Sequence, residues 1–471
     1  MPRSWKFCNA MIPFFLLVYL SPVMTANTQS TAGLETGPAV SPPSGASRPT
    51  QDGDAAPTSG GDRPLDLAGV LRLALTHHPA LRAQDHLVDA LDAQRRQADV
   101  RPNPEIELEM GEFSGTGERR AFVGAETSLR LSQRLELGGK RDKRSRLARR
   151  TAELAEWDRR QIRYDLIRQV VADYYAVLAA QARLQQLTED HQLAQRLEEV
   201  VAARVDAGKV SPVELLKARV PLATSRLSLE QARLALAAAR RQLARHWQDE
   251  PADCARVTGD LETVSAPPSL TELTPRLAAH PALARWAAEQ DLQAAELDVA
   301  RAGRIPDLTI SGGVQRFEET DDFSFVAAVS LPIPLFDRNR GAIEAVVHRQ
   351  AQVRQQRRQA WRDLRAALAG ASNRLEEAYE EVRAYRDDIL HLAGQAFAAA
   401  REGYQAGKFS YLDVLDAQRT LLDARLQYLD ALDRYHQAAT AVEGLVGGNM
   451  PGRPEYSYTG NTLPVEGQQS E

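Results

Sequence analysis

A helix-to-helix turn occurs twice in this chain, and the two copies constrain everything that lies between them. Residues 207–219 read AGKVSPVELLKAR and residues 406–418 read AGKFSYLDVLDAQ, so Ala, Gly, Lys, Ser, Leu and Ala recur at a displacement of 406 − 207 = 199 positions. Gly208 and Gly407 suit the left-handed position that ends a helix. Ser211 and Ser410 suit the N-cap of the next helix, with Glu214 and Asp413 three residues on to complete a capping box. Pro212 suits the first helical position, where its missing N–H costs nothing. A turn with the same chemistry in both halves means that the halves are built alike.

The segments around the turns repeat too. A helical pattern free of Pro and Gly runs from about Gly139 to Ala207, which at about 1.5 Å per residue is roughly 100 Å long. A second long helix is expected from Asn339 to Ala406, and shorter ones follow each turn, from Pro212 to Trp247 and from Tyr411 to Val446. HPAL occurs at 78–81 and again at 280–283 and reads as a helix corner. The adjacent His77 and His78 point about 100° apart on a helix, a poor arrangement for one metal ion. Between corner and long helix each half carries two segments with period-two alternation. Their expected bounds are 104–113, 122–135, 305–317 and 323–335. Repeat one thus covers about 65–249 and repeat two about 270–448, with a loop from Glu250 to Ser269 between them.

Four strands are too few to close a barrel and alternate too cleanly to be buried on both faces. One apolar and one polar face suit a lipid-facing barrel with a wet lumen. Hydrocarbon offers no substitute partner for an unpaired strand edge, so such a chain must close its sheet with other copies. Three copies supply 3 × 4 = 12 strands. The expected fold is therefore mainly α with a membrane β-barrel portion.

The N-terminus reads as an address. Arg3 and Lys6 precede the apolar run Ala10–Leu20, and small residues follow at Thr25-Ala26, a pattern that resembles a secretory signal over residues 1–26. Residues 27–64 and 449–471 are polar, lack apolar periodicity and are expected to be disordered. With Cys8 inside the signal, Cys254 is the one cysteine left, so neither an internal disulfide nor a cysteine-built zinc site is expected. A net charge of −5 and the lack of a basic tract argue against nucleic acid. No P-loop, nucleophile motif or HExxH is present, so the chain reads as a non-enzyme without cofactor or metal centre.

With these features in place the chain resembles the TolC family of outer-membrane efflux ducts from about Leu65 to Gly448. The resemblance implies a homotrimer whose 12-stranded barrel lies in outer-membrane lipid and continues as a helical tunnel across the periplasm. It also implies two partners, a periplasmic adaptor and an inner-membrane pump. LDVLDAQ at 412–418 is similar to the family's periplasmic entrance, which implies that Asp413 and Asp416 ring the aperture. Tyr404 stands where members keep a gating tyrosine, while Phe409, beside Lys408, stands where a lock arginine occurs. SLPIPLFDRNRG at 330–341 is similar to the branch paired with heavy-metal pumps of the RND type. A duct for drugs, organic compounds or secreted proteins and a periplasmic coiled-coil scaffold stay open as alternatives.

Physical chemistry adds readings of its own. Asp413 and Asp416, at i and i+3, share a helix face, and crowding six such carboxylates at a three-fold axis would raise their pKa values and attract cations. Asp413 alone is equally well explained as a helix-cap partner. Glu214 and Lys217 in the first copy are spaced to neutralise each other. Gly208, Lys209 and Ser211, with Gly407, Lys408 and Ser410, form the turn tips, which on the resemblance would dock an adaptor, while Lys209 and Lys408 read equally as ordinary solvent-exposed lysines near helix C-termini. Glu105, Glu107 and Glu109 line one face of the first strand as an acidic lumen, partly neutralised by Arg130, or simply as solvated positions.

Overall fold

The computed structural model describes residues 64–117, 120–247 and 256–449. The expected signal, nearly all of the expected N-terminal arm, Cys254 and all but the first residue of the expected tail lie outside them. In chain order the elements are α1 (Leu67–His77), α2 (Pro79–Ala98), β1 (Glu105–Gly111), β2 (Glu126–Leu135), α3 (Lys140–Asp206), α4 (Pro212–Ala244), α5 (Leu270–Leu273), α6 (Pro281–Ala302), β3 (Leu308–Phe317), β4 (Asp322–Ser330), α7 (Arg340–Ala384), α8 (Leu390–Gln405) and α9 (Tyr411–Val446). The His-Pro corners work as caps. His78 and His280 each accept, through Nδ1, an N–H two residues on, at 3.2 and 3.1 Å, and the following Pro opens the next helix.

The four strands form one antiparallel sheet in the order β1-β2-β3-β4, so β1 and β4 are its edges. Register places Leu108, Leu129, Val314 and Phe325 in one cross-strand row, with Ile106 and Leu131 beside it. Phe325 in that row is 92% exposed. The other face carries Glu107, Arg130, Ser128 and Gln315. All four strands are shorter than their alternation suggests, β1 running over Glu105–Gly111 rather than 104–113 and β3 over Leu308–Phe317 rather than 305–317, with β2 and β4 losing most. β2 starts at Glu126 rather than near 122, because Ala121 takes a left-handed φ of 55° and residues 122–125 curl into turns. β4 stops at Ser330 rather than 335, since Pro332 and Pro334 cannot donate to a ladder.

α3 is a single helix of 67 residues, entered through Gly139 at φ 67°. Its counterpart is not single. A π-turn at Tyr385–Ile389 separates α7 from α8, although that stretch holds neither Pro nor Gly to announce it. The main core lies midway along the bundle, where α1 and the 3-10 turn Thr274–Ala279 cover α3, α7 and α9. Tyr175 stacks on His436 there at 4.1 Å. The described part of the expected inter-repeat loop is an ordered strap: Val257 bridges Leu65, and Ser265 is held by the Tyr435 hydroxyl through both its N–H and its carbonyl at 2.9 Å. Among the described residues no helix is long and apolar enough to cross a membrane.

Gly313 carries a requirement of the sheet. A Cβ there would sit 2.3 Å from the Leu129 carbonyl oxygen and 2.9 Å from Arg130 Cα, both backbone atoms of the paired strand. Gly313→Ala is expected to destabilise the protein by about 1–3 kcal/mol. The measurement is the midpoint of heat-induced unfolding in detergent. Gly312→Ala, whose Cβ would meet nothing closer than 3.9 Å, is the control and should leave that midpoint in place.

Candidate functional site

The two repeated turns lie together at the end of α3 and α8, the far end from the sheet. Each closes as a Schellman motif. Gly208, at φ 67°, donates to the Val205 carbonyl and Lys209 donates to the Arg204 carbonyl, both at 2.8 Å. Gly407, at φ 73°, donates to Tyr404 at 3.0 Å, while Lys408 and Phe409 donate to Gly403 at 2.8 and 3.2 Å. A second apolar cluster packs beneath them, with Leu197, Val201, Phe397, Tyr404, Tyr411 and Val414 among its members.

The caps are unequal. In the second copy a full capping box forms: Ser410 Oγ accepts from the Asp413 N–H at 3.3 Å, and Asp413 Oδ2 accepts from the Ser410 N–H and hydroxyl at 2.8 Å each. These bonds, the Ser410 hydroxyl first, hold the Asp413 carboxyl below the usual carboxylate range. In the first copy Ser211 Oγ accepts from the Val213 N–H at 3.3 Å, and Glu214 completes no box. Nor does Glu214 pair with Lys217. Its Oε2 is buried without a hydrogen-bond partner and its charge acts on Tyr404, while Lys217 stays in solvent. Pro212 follows the turn at the first helical position of α4, and the Glu214 carboxylate turns towards Tyr404.

Asp413 and Asp416 are both exposed on the first two turns of α9, and the Asp416 carboxylate makes no ion pair among the described residues. Lys209, Lys408, Gly208, Gly407, Ser211 and Ser410 are exposed on the tips. Tyr404 stands apart from them. It is 4% exposed and packs edge-on against Tyr411 at 6.0 Å. Burial pushes its phenol up, Arg204 pulls it down, and Glu214 pushes it up again. Phe409 is half exposed, with its ring laid on Gly403, where any Cβ would collide with it.

Arg204 is the residue that sequence reasoning missed. Its guanidinium lies 4.4 Å over the Tyr404 ring and donates to the Tyr404 carbonyl at 3.2 Å, so repeat one clamps repeat two at the tip. The signal was available: 204 + 199 = 403 aligns Arg204 with Gly403. A large cationic side chain in one copy faces a missing side chain in the other.

At the sheet, Glu105, Glu107 and Glu109 are all exposed, and Arg130 Nη1 meets Glu109 Oε2 at 3.1 Å across the β1–β2 pair. Glu105 and Glu107 make no ion pair among the described residues. No group of three or more His, Cys, Asp or Glu side chains that could hold a metal occurs among the described residues.

A family model described as outer membrane efflux protein matches residues 70–247 and 275–448. The chain is 36% identical to the cobalt-zinc-cadmium resistance protein CzcC of Cupriavidus metallidurans, over 82% of this chain and 90% of that protein. It is 34% identical to the nickel and cobalt resistance protein CnrC of the same species, over 60% of this chain and 66% of that one. Among solved structures it resembles the channel protein CusC, with a TM-score of 0.69 at 21% identity over 82% of this chain and 93% of that chain. The outer membrane protein VceC of Vibrio cholerae gives 0.66 at 18% identity over 81% and 96%.

The capping box makes the start of α9 sensitive to its own chemistry. Ser410→Ala is expected to lower the local opening free energy of the first turn by about 1 kcal/mol, read by amide hydrogen exchange at residues 413–415. Because the folded Asp413 carboxyl lies below its unfolded value, its contribution is present above the ordinary carboxylate pKa and is lost as pH falls through the lowered one. Protection of this turn should therefore fall on acidification in the natural protein and show no such step in Asp413→Asn.

Proposed function

Because the chain belongs to the outer membrane efflux protein family, we propose that it is the passive channel-tunnel of a tripartite pump exporting heavy-metal cations. The observation that carries this reading is the arrangement of one chain's two ends. A sheet with an exposed apolar face and two free edges lies at one end, and two capped turns, the second bearing exposed carboxylates, lie at the other. The sheet edges support closure by three copies into a 12-stranded barrel in outer-membrane lipid, because each copy brings four strands. The long helices, α3 alone being roughly 100 Å at 1.5 Å per residue, then reach across the periplasm.

In this assembly Asp413 and Asp416 of each copy face the axis at the periplasmic aperture. Asp413, whose carboxyl Ser410 holds below the usual carboxylate range, contributes negative charge that draws cations towards the mouth. Tyr404 supports the aperture from beneath, clamped by Arg204, and Phe409 covers the turn. Lys209 and Lys408, at the exposed tips, meet the periplasmic adaptor, which couples the duct to an RND-type inner-membrane pump. Glu105 and Glu107 face the barrel lumen and favour cation passage, with Glu109 neutralised by Arg130. The energy for export comes from the pump; this chain contributes a path and a filter.

The metal-resistance relatives support the cargo. Deleting the gene should lower tolerance to divalent zinc, cobalt, cadmium or nickel while leaving tolerance to drugs and detergents in place. Loss of drug tolerance alone would overturn the metal reading. In planar bilayers, Asp413→Ala with Asp416→Ala should raise single-channel conductance and weaken block by multivalent cations. An unchanged block would remove the two carboxylates from the aperture.

A further inference from the structure

The groove between α6 and α7 gathers cations that no carboxylate answers. Arg354, Arg357, Arg358 and Arg362 line its α7 wall, and among the described residues none of them makes an ion pair. Arg357 donates to the Gln290 amide oxygen at 3.2 Å instead. The carboxylates flanking the groove are engaged elsewhere: Glu289 with Arg285, Glu296 with Arg349, and Asp363 with the Gln359 amide. The floor is apolar, built by Leu283, Ala284 and Ala287 of α6, and Trp361, 37% exposed, stands on the α7 side. The space enclosed is about 770 Å³.

Repeat one shows what is missing. RRQIRYDL at 159–166 returns as RRQAWRDL at 357–364, and HPAL at 78–81 returns at 280–283, so Arg357 is the counterpart of Arg159 and Ala287 that of Asp85. The displacement of 198 along the long helix is one less than at the turns, and the π-turn at Tyr385–Ile389 lies between the two stretches. In repeat one Asp85 neutralises Arg159 at 2.9 Å. In repeat two the arginine is kept, others join it, and the carboxylate is gone. Crowded guanidiniums raise the local positive potential, and their planar forks of donors match carboxylates. The groove therefore fits an acidic segment with aromatic or apolar side chains between its charges.

Such a segment starts next door. A Cβ on Gly448 would sit 2.6 Å from Nη2 of Arg276, in the 3-10 turn Thr274–Ala279, and Ala278 of the same turn lines the groove. Residues 450–471 continue from there as MPGRPEYSYTGNTLPVEGQQSE, with three glutamates against one arginine, and with Tyr456, Tyr458, Leu463 and Val465 between Glu455 and Glu466. At up to about 3.3 Å per residue, the stretch from Asn449 to Glu466 can reach roughly 55 Å. Pro281 to Gln290 of α6, at about 1.5 Å per residue, covers only ~14 Å. We propose that residues 450–471 dock in the groove between α6 and α7 of their own chain, Glu455 and Glu466 pairing with its arginines and Tyr456 and Tyr458 lying against Trp361 and Leu283. The tail then supplies in repeat two the negative charge that Asp85 supplies in repeat one, and it clasps α6 to α7. The clasp concerns one chain and does not depend on how copies assemble.

The test uses the full-length protein purified in detergent with Cys8 and Cys254 replaced by Ser, and with Ser457→Cys labelled with bimane, a fluorophore that tryptophan quenches on contact. Emission should be low with Trp361 in place and rise several-fold in Trp361→Phe. It should rise as far when Arg354, Arg358 and Arg362 are all replaced by Gln, a residue of similar helix propensity without the charge. Salt at about 1 M, where the screening length falls to ~3 Å, should do the same. Bimane at Lys209→Cys, on the distant turn, is the control and should respond to none of these changes. A label at residue 457 as bright as free dye, or one that Trp361→Phe leaves unchanged, gives the groove to an acidic partner from elsewhere and overturns the docking. Quenching that survives both the loss of the three arginines and high salt overturns the ion pairing. Quenching of a labelled Trp361→Phe chain by unlabelled natural chains assembled with it assigns the groove to a second copy's tail and overturns the clasp within one chain.

Discussion

The backbone groups along β1 and β4 govern the rest of this molecule. A four-stranded sheet pairs its inner strands and leaves two edges whose outward N–H and C=O groups have no strand partner among the described residues. In water such edges cost little, but in hydrocarbon each unpaired group costs several kcal/mol. The apolar row Leu108, Leu129, Val314 and Phe325 points to hydrocarbon as the surroundings of one face. The two free edges are therefore what the surroundings of this sheet must satisfy.

The duplication joins the two repeats through one interface inside the chain, formed by β2 with β3, α6 with α3 and α9 with α3. What differs between the repeats is concentrated at the tip. The first turn ends in Arg204 and the second in Gly403, so a cation from one repeat covers the tyrosine of the other. The first cap leaves Glu214 drawn inward, while the second keeps Asp413 outward and bonded to Ser410. Near-symmetric halves thus produce an asymmetric tip, in which the second turn carries the exposed carboxylates.

Within one chain the charge at the tip is governed by the cap. The Asp413 carboxyl is lowered because hydrogen bonds from the Ser410 hydroxyl and N–H outweigh the opposing effect of desolvation. The residue cannot lose its proton-free form without loosening the first turn of α9.

Periodicity and cap chemistry are local, and they were legible. The repeated turns, the His-Pro corners, the 67-residue α3 and the number of strands all follow from spacing and from where Gly, Pro and Ser stand. Strand ends were less legible where a left-handed Ala121 or two prolines decided them. The π-turn at 385–389 had no marker at all, since a widened turn needs no special residue when packing on either side supports it. The clamp of Arg204 on Tyr404, the inward Glu214 and the strap from Val257 to Ser265 depend on contacts between residues 84 to 200 positions apart or on the helix beside them. The sequence by itself determined the elements and their duplication, because those rest on interactions within a few residues. The tertiary structure alone decided which side chains meet across repeats and which apolar faces remain uncovered, because burial is a property of the packed chain and not of any stretch of it.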